Sequence, residues 1–190
     1  RDDWWEPASQ ARELRETTSD AWAGPIHKRV TWYDFYGGFV EDIQLDAKTF
    51  LAQADELYRL APIRRLALHG VAPVVDELFH SPHLARIVSL SLAHQDLGDR
   101  GIELLAASPY LGKLVSLDLP GNEITLAGIE ALAQSSTLSS LKKVNLVGNP
   151  ASSVSEIVGV DGMDGRSMFP SGSEDGWRLE QRYGRKTWLH

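Results

Sequence analysis

The sequence predicts an α/β solenoid, a row of about four short parallel strands backed by helices on the convex side, and three observations predict it. First, a unit of 27 residues recurs. Residues 87 to 113, "IVSLSLAHQDLGDRGIELLAASPYLGK", laid on residues 114 to 140, "LVSLDLPGNEITLAGIEALAQSSTLSS", put Leu90 on Leu117, Leu92 on Leu119, Gln95 on Asn122 and Leu97 on Ile124. Second, the paired Leu residues alternate with period two, the spacing of a strand with one buried face. Third, the spacing then changes to that of a helix face: Ile102, Leu105 and Ala106 fall on Ile129, Leu132 and Ala133, at i, i+3 and i+4. A periodic strand, turn and helix cannot bury its own faces alone, so each unit is stabilised by stacking and the terminal units require caps.

Taken in order, the coils begin at "IRRLALHGV", where Leu66 and Leu68 open a trimmed unit. Leu78 and Leu84 still align with Leu105 and Leu111, so the deletion lies between strand and helix and the helix is expected to be kept. The last restart is "LKKVNLVGNP", with Leu141, Val144, Leu146 and Asn149. Asn122 and Asn149 are predicted inside their turns, satisfying backbone groups of their own and the adjacent coil, for an amide offers both donors and an acceptor. Gln95 and Val71 stand at this position in the earlier units.

The flanks divide the chain into an N-terminal helical and aromatic cap over 1–62, the repeats over 63–150 and a turn-rich tail with an irregular C-terminal cap over 151–190. Asp46 is placed to N-cap a helix from Ala47 to Leu60 with Phe50, Ala54, Leu57 and Tyr58 on one face. An earlier helix from Pro7 to Thr17 would turn Ala11 and Leu14 inward, with Trp22, Trp32, Tyr33 and Phe39 supplying buried area between the two. "DFYGGFVEDIQL" reads as a Gly-Gly turn leading into a strand. The tail holds turns rather than a calcium loop, since Asp161 and Asp164 lack the required spacing. "WRLEQRYGRKTWLH" is expected to return over the last coil as a strand or hairpin.

Composition removes several function classes. Of 190 residues, 43% are hydrophobic and 24% charged, which suits a globular chain rather than a disordered one. A net charge of −7 without a long basic run argues against nucleic acid as a partner. The absence of cysteine removes disulfides, thiolate metal sites and Cys nucleophiles, and fits a reducing cytoplasm. Neither a membrane-length apolar run nor a signal peptide is visible, so no membrane partner is expected. The chain begins at Arg1 rather than Met, as a fragment or processed product would.

The order L-x-x-L-x-L-x-x-N-x-I-x-x-x-G over 114 to 128, at a 27-residue period, resembles the ribonuclease-inhibitor-like class of leucine-rich repeats. That resemblance implies a curved α/β solenoid that binds proteins. A narrower resemblance rests on "QARELRETTSDAWAGPI", "WYDFYGGFVEDIQLDAKTFLAQADELYRLAPIRRLALHG" and "LEQRYGRKTWLH". These stretches are similar to the flanks of bacterial leucine-rich repeat proteins that carry a repeat-companion domain, which implies a bacterial, cytoplasmic origin.

The candidate partner-binding residues are those between and just after the inward Leu residues. Stacked on the concave sheet, they form one column of Arg65, Ser89, Ser116 and Lys143, and a second of Ala67, Ser91, Asp118 and Asn145. His69, Ala93, Pro120 and Val147 form a third, with His94 beside it. This face is expected to be mostly Ser and Ala, charged at its rims and without a large aromatic anchor. Four strands at about 4.8 Å span roughly 15 Å, so a standard interface needs help from the flanks. A His69, His94 and Asp118 cluster offers a weaker metal or acid/base alternative. His80 and His83 read as surface residues. No phosphate loop, G-x-S-x-G or H-E-x-x-H motif occurs. The expected function is therefore that of a non-catalytic, cofactor-free module that binds or scaffolds another protein. The alternatives are an inhibitor or immunity protein of a toxin or effector, and a regulator with GTPase-activating activity through Arg65 or Asn145, or with metal-dependent activity.

Overall fold

The computed structural model describes residues 19–150. The 7–17 helix and everything proposed for the tail beyond residue 150 lie outside them. The described chain builds one six-stranded sheet in sequence order: β1 (Trp32–Tyr36), β2 (Phe39–Asp46), β3 (Arg65–His69), β4 (Ser89–Ser91), β5 (Ser116–Asp118) and β6 (Lys143–Asn145). β1 and β2 are antiparallel across the Gly37-Gly38 turn, and every later pairing is parallel. Both turn glycines have positive φ, at 58° and 89°, which is the conformation that two adjacent glycines supply without strain.

Parallel neighbours need a crossover, and helices supply it: α1 (Ala47–Leu60), α2 (Val75–Phe79), α3 (Gly98–Ala107) and α4 (Leu126–Gln134). α1 begins where the sequence places it. Asp46 Oδ1 accepts from Lys48 N at 3.0 Å and Thr49 N at 3.1 Å, satisfying two otherwise orphaned donors. Phe50, Ala54 and Leu57 on its inner face are buried, while Tyr58 is half-buried. In α3 and α4 the repeated set of Ile, Leu and Ala is buried in both copies. The inward Leu residues of every coil join them in one continuous core.

The first coil departs from expectation. Its helix is not kept whole: α2 has five residues, between 3-10 turns at Ala72–Val74 and Pro82–Arg86. Pro73 and Pro82 remove backbone donors, and Val74, at φ −129°, breaks the helical path between them. The aromatic flank also differs. Trp22, Trp32 and Phe39 are 68%, 49% and 63% exposed, so they are not the buried filling between two cap helices. Alternation along the hairpin turns Tyr33 and Phe35 toward the core instead, where their rings meet edge to face with centroids 5.8 Å apart.

Adjacent coils are tied together by polar side chains at fixed points. Asn122 Oδ1 accepts from Gln95 N and Leu97 N, and its Nδ2 donates to Leu92 O and Pro120 O, at 2.7 to 3.5 Å. Asn149 repeats the pattern on Asn122 N, Ile124 N and Leu119 O. Both amides are buried, and both do what the sequence requires of them. A second ladder joins the helix ends: Ser108 Oγ donates to Phe79 O and Ser135 Oγ to Ala106 O, each at 2.6 Å. These close carbonyls at the C-termini of the preceding helices. A third link runs from Asp99, which accepts from Thr125 N, Thr125 Oγ1 and Gly128 N and so caps the next coil's helix. A Cβ on Gly128 would stand 2.6 Å from Asp99 Oδ1, so this glycine is required by close approach.

Candidate functional site

The open face of the sheet follows from register. Arg65, Ser89, Ser116 and Lys143 are successive Cα partners, and so are Ala67, Ser91, Asp118 and Asn145. The first two predicted columns therefore exist as rows across the strands. His69 and His94 lie at the strand ends, beside rather than within these rows. His69 pairs in register with Asp46 and its Nδ1 stands 3.8 Å from Asp46 Oδ2.

The face is larger than the four coils alone. β2 adds Asp42 to the first row and Gln44 to the second, and β1 adds Asp34 and Trp32 to the same two. Alternation along β1 puts Tyr36 on the same open side, past a bulge at Glu41 of β2, and there the Arg65 guanidinium stacks 4.0 Å from its ring centroid. The expectation that this face has no large aromatic is thus corrected by Trp32 and Tyr36. The signal was present in "WYDFYGGF": a Gly-Gly turn between alternating residues makes a hairpin, and a hairpin beside the first coil extends its sheet. Six strands at about 4.8 Å span roughly 24 Å rather than 15 Å.

At the other end Asp118 is held in place. Its Oδ2 accepts from Ser91 Oγ at 2.8 Å and its Oδ1 from Asn145 Nδ2 at 2.6 Å, while Asn145 Oδ1 accepts from Val147 N at 3.1 Å. The carboxylate is half-buried and retains lone pairs toward solvent. Between Asp118 and the aromatic end the floor is made of small side chains, Ala67, Ser89, Ser91 and Ser116, all half-buried. Lys143 is exposed beside Asp118. Near the hairpin, burial raises the Asp42 carboxyl above its usual range, Arg65 pulls it back, and Asp34 adds to the rise.

His94 is set apart by its backbone. Gly70, Gly121 and Gly148 occupy the turn after their strands with φ of 66°, 60° and 74°, and His94 takes the equivalent place at φ 54°. A non-glycine residue in the left-handed region is strained. Its ring lies over the next coil so closely that a Cβ on Gly121 would collide with His94 Nδ1. The three residues weighed as a metal or acid/base cluster are thus engaged separately: His69 with Asp46, His94 over Gly121, Asp118 with Ser91 and Asn145. Among the described residues no three His, Asp or Glu side chains gather where they could hold a metal ion. Among the same residues no helix is long and apolar enough to cross a membrane. No known family model matches the chain, and no curated protein does.

Proposed function

We propose that this chain is a leucine-rich repeat solenoid, of the ribonuclease-inhibitor-like kind found in bacterial cytoplasmic proteins, and that it acts as a non-catalytic module binding another protein on its open sheet face. The observation that carries the reading is the clamped Asp118. A carboxylate fixed by neighbours in two adjacent coils is a pre-organised acceptor for a Lys or Arg of a partner, and ordering it on binding costs little further entropy. The Trp32 and Tyr36 end supplies the large rigid side chains that dominate interface energetics, and the small-residue floor lets a partner approach closely between the two.

The test is an affinity pull-down of the whole chain from a lysate of its source organism, quantified by mass spectrometry beside an Asp118→Ala/Lys143→Ala variant and a Trp32→Ala variant. The expected result is one protein retained by the parent chain and lost from both variants, with melting temperatures within about 2 °C of the parent, as surface changes allow. Retention by both variants would move the site off this face.

A further inference from the structure

The charges of the coils are segregated along the chain direction. From Arg59 to Pro150 every Asp and Glu lies between the start of a strand and the end of the helix that follows it. Arg59, Arg64, Arg86, Lys113 and Lys142 lie instead on helix ends and on the connections leading into the next strand. The backbone stacks these connections. Val88 N donates to Arg64 O at 2.8 Å, Val115 N to Val88 O at 2.8 Å and Lys142 N to Val115 O at 2.9 Å. Arg64, Val88, Val115 and Lys142 therefore form one row, three strand spacings or about 14 Å long. Arg86 and Lys113 each stand two residues before a member of that row. Arg59, Arg64, Arg86 and Lys113 are exposed, as is Lys142, and among the described residues none of the five has a carboxylate within ion-pair distance.

At its Arg64 end the row continues to Glu41, whose O accepts from Arg64 N at 2.9 Å, while Arg59 and Arg86 line a cavity of about 710 Å³ with Asp55, Tyr58, Pro82 and His83, between the last turns of α1 and the Pro82–Arg86 turn. Tyr58 is fixed there, donating its OH to His83 O at 2.5 Å with Arg86 5.1 Å from its ring centroid. Burial pushes the Tyr58 phenol up to about 12 against the opposing pull of Arg86, so it remains a neutral donor. The carboxylate on this wall, Asp55, stands 3.8 Å from His83 Nδ1.

We infer that this rim is a second binding surface, distinct from the open sheet face, and that it takes an acidic extended segment of a partner protein. The chemistry that favours it is complementarity: five cations without described counterions, in a chain whose net charge is −7, concentrate positive potential on one edge. An extended peptide crosses 14 Å in about four to five residues, so carboxylates four residues apart on one side stand about 13 Å apart, close to the span between Arg64 and Lys142. A nucleic-acid strand fits less well, because the phosphates running past the rim would meet the net negative charge of the remaining surface, and the Tyr58 ring already has Arg86 over it.

The probe is a fluorescein-labelled ten-residue oligoglutamate, titrated with the full chain and read by anisotropy at low and at physiological ionic strength. The expected result is salt-sensitive binding that Arg86→Glu/Lys113→Glu weakens by about tenfold or more, while Arg100→Glu on α3 and Asp118→Ala change it by less than about twofold. If charge reversal unfolds the chain, Arg86→Gln/Lys113→Gln must still weaken binding with its melting temperature unchanged. Absence of binding at low ionic strength, an equal loss in Arg100→Glu, or tighter binding of a ten-residue oligothymidylate would each overturn the inference. Because Asp118→Ala is carried alongside, failure of the open-face reading leaves this one standing.

Discussion

The turn after β5 and the turn after β3 present the same backbone problem and answer it in different ways. At Asn122 a buried amide bonds two donors and two carbonyls, binding its coil to the one before. At Val71 the equivalent side chain is apolar and fully buried, and Val71 N is answered by Gln95 Oε1 at 3.2 Å from the following coil. Gln95 stands between the two in character as well as position: it is half-buried, one methylene longer, and turns its Nε2 back to Ala93 O and His94 O. The difference teaches that stacking requires every turn donor to be met, and that the residue meeting it belongs to the next coil. The first coil can therefore hold a Val, because the Val71 side chain has no preceding turn of this kind to serve.

The comparison is broken most severely at Asn122. Asn122→Leu is close in size but strands Gln95 N, Leu97 N and Leu92 O, and it should destabilise the chain by about 3 to 5 kcal/mol; urea unfolding would read this as a lower midpoint. Gly121→Ala comes next. Its φ of 60° and the His94 ring leave no room for a methyl group, and a loss of about 2 kcal/mol is expected by the same measurement. Gln95→Ala should cost only about 1 kcal/mol, because Val71 N is a single neutral donor near the edge of the core. A loss equal to that of Asn122→Leu would erase the distinction between the two turns. Smallest is His94→Gly, which relieves the left-handed strain and should raise stability by about 0.5 to 1 kcal/mol in thermal unfolding. If that gain is accompanied by loss of a partner captured on the open face, the strain is maintained for binding.

Much of this architecture was legible in one dimension. The 27-residue spacing places Leu90 beside Leu117 and Ser91 beside Asp118, because a periodic chain repeats its own contacts. Asp46 and the Ala47–Leu60 helix were legible for a local reason: a cap and the donors it serves lie within three residues. The Asp118 clamp was only half legible. Its members share a row in the sequence reading, but whether Ser91 and Asn145 turn toward the carboxylate depends on rotamers chosen across three strands. The serine ladder at Ser108 and Ser135 also repeats at 27 and carried a usable signal, since a polar residue at a helix end that recurs beside a core position has a backbone group to satisfy.

What the sequence determined by itself is the period, the inward face of each coil, the Asn turns and the α1 cap, all of which depend on near neighbours or on exact repetition. The hairpin itself was legible in its Gly-Gly turn, but the tertiary structure decided that it pairs with β3 and so brings Trp32 and Tyr36 to the open face, that α2 is curtailed, and that Arg59 of α1 lies beside Arg86. Each of those outcomes joins residues that no repeat relates. Their placement is set by which strand finds an unpaired edge and by how the packed coils bring distant turns side by side.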